Sequence, residues 1–168
     1  MHRWKLISVV AMLVALGTFG ALGAHVLADE GGQSFSATLT GYREVPAINS
    51  TATGSLTVVV SADHSSIAYT LTYSGFTSTP TAAHLHFAQK GVAGGVVAFL
   101  CGGGTAPACP GSGSVSGTIT AADIQAVPAQ GIAAGDLASV LRAMGAKRIY
   151  VNVHSSNFPS GEIRGQVR

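Results

Sequence analysis

Three of the six histidines stand in patterns suited to holding a metal ion. His84 and His86 form a His-x-His pair in Ala82-Ala-His84-Leu-His86-Phe87, and His154 ends Arg148-Ile-Tyr150-Val-Asn152-Val-His154. Side chains alternate along a strand, so Leu85 and Phe87 take one face and the two histidines the other, about 7 Å apart. The same rule sends Ile149, Val151 and Val153 to a core and Tyr150, Asn152 and His154 to the opposite face. Imidazole suits copper and zinc, and three such ligands are enough for a site that keeps a position open.

The following segment adds a polar partner set. A tight hairpin around Ser156-Asn-Phe-Pro-Ser-Gly161 would bring Glu162 beside His154 and Arg164 beside Asn152. Glu162 would then orient His154 as an outer acceptor, with Tyr150, Asn152 and Arg164 in the same stripe. The competing reading is structural, with the histidines hydrogen-bonded to Tyr150, Asn152 and Glu162 to tie strands together.

Other candidates have plainer explanations. His64 lies in the turn Ala62-Asp-His-Ser65, and Glu44 in a Val-Pro loop where a turn role and a ligand contact are equally open. Ser155 and Ser156 adjoin His154, but neighbours on a strand face opposite ways, so no serine–histidine nucleophile is indicated. Asp123 and Asp136 read as helix caps. Gly91, Gly94 and Gly95 suit a hairpin loop, with no helix after them to cradle a phosphate. Cys101 and Cys109 are the chain's two cysteines. Their spacing fits neither a redox pair nor a zinc site, and in an oxidising compartment they form a disulfide contributing about 2.5 kcal/mol.

The elements that position these residues are short alternating runs: 34–40, 54–61, 66–74, 82–88, 96–100, 113–119, 147–155 and 162–168. Between the sixth and seventh, Thr120-Ala-Ala-Asp123 opens a helical turn, and Asp136 to Gly145 reads as a short helix. The pattern is that of an all-β antiparallel sandwich forming one domain.

The beginning of the chain sets the compartment. Arg3 and Lys5 precede an uncharged stretch from Leu6 to Ala24, and Val26-Leu-Ala28 supplies small residues for a cut. Residues 1–28 therefore read as a secretory signal peptide and 29–168 as the mature domain. An uncleaved leader would instead anchor the chain in a membrane. Removing Arg3 and Lys5 from the nine basic residues leaves seven, against seven acidic ones, so the mature domain has no basic excess to attract nucleic acid.

Thr40-Gly-Tyr-Arg-Glu44-Val-Pro46, Thr53-Gly54, Ala83-His84-Leu-His86, Gly113-x-x-x-Gly117-Thr-Ile119 and Tyr150-Val-Asn-Val-His154, with Pro159-Ser-Gly161-Glu162-Ile-Arg164-Gly165-Gln166, together resemble the CHRD domain. This module is named for chordin and also occurs singly in bacterial exported proteins. The resemblance runs from about Ser34 to Arg168; Ala47 replaces a second proline common in the family, and the loop after Leu100 is long. It implies an immunoglobulin-like sandwich, weakly similar to Cu/Zn superoxide dismutase, with no established activity. Two functions follow: a non-enzymatic binding or adhesion module for an extracytoplasmic ligand, with copper or zinc at the histidines, or a dismutase-like redox enzyme. The second lacks a histidine-rich zinc loop, which favours the first.

Overall fold

Alternating apolar residues become buried on one side of each strand, and the strands close around them. The computed structural model describes residues 32–168; the expected leader and its cut after Ala28 lie outside the described residues. The chain runs β1 (Ser34–Thr40), β2 (Thr53–Val60), β3 (Ser66–Ser74), β4 (Pro80–Phe87), β5 (Gly95–Cys101), β6 (Gly113–Thr120), α1 (Leu137–Gly145), β7 (Ile149–Ser155) and β8 (Ile163–Gln166). A single 3-10 turn, Gly41–Arg43, follows β1, and two more, Ala121–Asp123 and Pro128–Gln130, lie between β6 and α1. The all-β expectation holds, as does the placing of the helical segment between the sixth and seventh strands.

The strands hydrogen-bond in one continuous antiparallel order, β5-β4-β7-β8-β1-β2-β3-β6. Strand β1 meets β8 at Thr40 opposite Arg164, and two backbone hydrogen bonds between Ser36 and Arg168 continue the joint just past β8. The end strands β5 and β6 approach each other, so the sheet nearly closes. The Tyr69 hydroxyl on β3 crosses the gap and donates to the Leu100 carbonyl on β5 at 2.7 Å. Leu39, Leu56, Leu71, Leu85, Val151 and Ile163, from six different strands, are fully buried in the shared core.

Local chemistry sets the crossover from β6 to β7. Asp123 accepts from the Thr120 amide at 2.9 Å, closing the first turn as a cap should. Asp136 accepts from the Ser139 amide at 2.9 Å and starts α1, whose buried stripe is Leu137, Val140, Ala143 and Met144. Cys101 is bonded to Cys109, stapling the glycine-rich loop to the end of β5. Among the described residues no helix is long and apolar enough to cross a membrane.

Candidate metal centre

The register of three neighbouring strands builds the site. Strand β4 pairs with β7 so that His84 faces Asn152, His86 faces Tyr150, and His154 faces Ala82. His154 therefore sits diagonally from His84, the offset at which long side chains still meet across a sheet. Strand β8 continues the row, with Arg164 opposite Asn152 and Gln166 opposite Tyr150. On the other face Ala83, Leu85, Val151 and Val153 are completely buried in the core.

The three histidines converge. One ring nitrogen from each lies within 4.8 Å of the others, and His84 Nδ1 is 3.0 Å from His154 Nε2. His84 also meets the edge of Phe99, with ring centres 4.8 Å apart. His154 Nδ1 lies 2.9 Å from the Pro159 carbonyl oxygen and His86 Nδ1 lies 2.9 Å from that of Gly94. A carbonyl can only accept, so in each neutral ring Nδ1 carries the proton and Nε2 keeps its lone pair.

Their surroundings differ from an open strand face. His86 is only 7% exposed, stacks on Tyr150 with ring centres 4.6 Å apart, and has Nε2 3.0 Å from Asn152 Oδ1. His84 and His154 are half-buried. The β4–β5 loop roofs this face. In the β4–β5 loop, the Gly94 amide donates to the Tyr150 hydroxyl at 3.3 Å, and the Val92 carbonyl accepts from Arg164 Nη2 at 2.7 Å. The Arg164 guanidinium lies 3.4 Å from the Tyr150 ring centre. Alternation assigns these residues to the non-core face, but it carries no information about loops returning over that face.

Glu162 is placed differently from the sequence expectation. It precedes β8, where the ladder no longer enforces alternation, and its carboxylate accepts from Ser50 Oγ at 2.6 Å and from Ser155 Oγ. The acceptor on His154 Nδ1 is Pro159, not Glu162. Ser155, fully buried, is a partner of this carboxylate. Sequence reasoning also missed how deeply Glu44 enters. It is 8% exposed, and a Cβ on Gly161 would lie 2.5 Å from its Oε1 and 2.8 Å from Asn152 Nδ2. Gly161 has φ +128°, so both backbone and space demand glycine there. The Glu44-Val-Pro46 and Gly161-Glu162 motifs were the available signal for this contact. His64 stays exposed in its turn, remote from the cluster in sequence and topology.

Burial sets the ionisation of the site. Removal from water, reinforced by His154 and His86, depresses His84 to about 4. Burial also lowers His86, against the opposing hydrogen bonds to Gly94 and Asn152, and lowers His154. Each ring is held towards its neutral, ligating form. Burial pushes the Glu44 carboxyl up, partly offset by the Val45 amide and the charge of Arg164.

These shifts predict acid sensitivity of the metal-free protein. An imidazole whose folded value is depressed binds fewer protons folded than unfolded, so stability falls as pH drops from about 6.5 towards about 4. Glu44 has the opposite sign, favouring the fold when protonated, and must be separated by a variant. Thermal midpoints measured between pH 7 and 4 should fall less steeply in His84→Asn than in the parent. Equal slopes would show that His84 does not carry the effect.

The family model of the CHRD domain matches residues 35–167, nearly the whole described chain. No curated protein and no solved structure matches the chain significantly.

Proposed function

The chain belongs to the CHRD-domain family, and we propose that it works outside the cytoplasm as a non-enzymatic binding module whose His84, His86 and His154 hold one copper or zinc ion. The observation that carries this reading is the pair of backbone carbonyls, from Gly94 and Pro159, on Nδ1 of His86 and His154. Outer acceptors of this kind fix the tautomer and aim the other ring nitrogen in protein metal sites. His84 supplies the third imidazole, and borderline-soft nitrogen donors select copper or zinc over calcium or magnesium. A bound ion would displace the His84–His154 hydrogen bond and the contact of His86 with Asn152. The family and the Cys101–Cys109 disulfide are compatible with an extracellular setting, and residues 1–28 supply a leader pattern.

The experiment is elemental analysis joined to intact-mass measurement on exported protein purified without an affinity tag. About one equivalent of copper or zinc should accompany each chain, or be taken up on titration. The polypeptide should begin at or near Asp29. Protein that neither carries nor takes up either ion at micromolar concentration would overturn the metal reading. Retention of the first 28 residues would overturn cleavage of the leader.

A further inference from the structure

We propose that a second site, between the loop after β1 and the loop after β4, binds a small multivalent oxyanion such as a polycarboxylate or a phosphorylated or sulfated compound. The pocket encloses about 360 Å³ and is lined by Tyr42, Arg43, Glu44, Lys90, Arg164 and Arg168, among others. That volume lies within the usual range for small-molecule sites, about 300–1,000 Å³. None of the three histidines lines it, so the proposal stands independently of the metal centre.

Charge is what singles it out. The described residues contain seven Lys and Arg side chains, Arg43, Lys90, Arg142, Lys147, Arg148, Arg164 and Arg168, and four of them line this one pocket. The domain has no basic excess overall, so this concentration is local. The one acidic side chain in the wall, Glu44, is turned inward: its Oε2 accepts from the Val45 amide at 3.3 Å, and its Oε1 lies against Gly161. Concave sites lined by one sign of charge focus the field and draw oppositely charged ligands.

The floor is also held ready. Arg164 is 3% exposed, clamped over the Tyr150 ring and tied through Nη2 to the carbonyls of Val92 and Gln89. All its hydrogen bonds among the described residues leave from Nη2, so Nε and Nη1 keep a donor edge for a ligand oxygen. A fixed guanidinium loses little freedom on binding. Lys90 and Arg168 are exposed and adjustable, and Arg43 is exposed with Nη1 donating to the Thr38 carbonyl, a set that fits a ligand with more than one anionic group. Tyr42, 72% exposed, and Val45 give the rim an apolar surface for the body of an organic anion.

Calorimetric titration of the whole protein at low ionic strength tests this, with tricarballylate, inorganic phosphate and sulfate as probes and acetate as the monovalent control. At least one multivalent probe should bind saturably and more tightly than acetate, and weaken as salt rises. Lys90→Glu and Arg168→Glu, both at exposed positions, should weaken it about tenfold or more without moving the thermal midpoint. Arg142→Glu, on α1 outside the pocket, should leave it unchanged. Absence of saturable binding by all three probes would overturn the proposal, as would an equal loss in Arg142→Glu. A tricarballylate preference would identify a carboxylate ligand, and a phosphate or sulfate preference a tetrahedral one.

Discussion

Replacing His154 with alanine should lower the affinity for zinc or copper by more than about a hundredfold, beyond the 10–100-fold losses typical of outer-partner mutations. The fold should barely change. His154 is half-buried, and its hydrogen bonds run to Pro159 and to His84, so removing it costs about 1 kcal/mol. His86→Ala should lose the ion equally but also destabilise the protein by about 2–3 kcal/mol, because that ring is buried, stacked on Tyr150, hydrogen-bonded through Nδ1 to Gly94 and packed with Nε2 against the Asn152 amide. Competition against a chromogenic chelator gives the affinities, and urea unfolding of the metal-free variants gives the stabilities. Unchanged affinity in His154→Ala would end the three-histidine assignment, whatever happens to stability.

The second large effect belongs to Glu162. Its side chain is 1% exposed and joins Ser50, in the loop before β2, to Ser155 at the end of β7. Alanine there leaves two hydroxyls without their acceptor and opens a void, and should cost about 3 kcal/mol in urea unfolding. Glutamine keeps the shape and one accepting oxygen, and should recover more than half of that loss. Metal affinity should stay the same in both variants, since Pro159, not Glu162, holds His154. A destabilisation below about 0.5 kcal/mol in Glu162→Ala would refute the structural role. A drop in affinity without one would restore Glu162 as the partner of His154.

The sequence was most informative where a periodic constraint operates. Strand alternation put Leu85 and Val151 inside and sent His84, His86 and His154 outward, and the tight turn before β8 set Asn152 opposite Arg164. That β4 and β7 are neighbours, which brings the histidines together, is not encoded in alternation. Caps at Asp123 and Asp136 were legible because a short-range hydrogen bond needs few residues to specify it. What alternation cannot encode is the depth of a face. Whether His86 meets water depends on the loop carrying Gly94 folding back over it, a long-range event with no local pattern. Glu162 escaped for a related reason: one residue outside a ladder, its direction was decided by two serines distant from each other in sequence. The continuous strand order was likewise invisible, since it turns on β1 pairing with the end of the chain, Thr40 with Arg164 and Ser36 with Arg168, which no local pattern announces.

The near-closure of the sheet has a consequence for how these molecules behave in a crowd. A strand at the margin of a sheet offers unpaired amides and carbonyls that can recruit a strand from another chain, the first step towards fibres. On β5 those groups are already engaged: the Val97 carbonyl accepts from the Gln125 amide at 2.9 Å, and the Gly95 amide donates to the Gln130 side chain at 2.8 Å. The Leu100 carbonyl is taken by Tyr69. The segment between β6 and α1 thus acts as a selvedge, finishing a margin that would otherwise fray into intermolecular pairing.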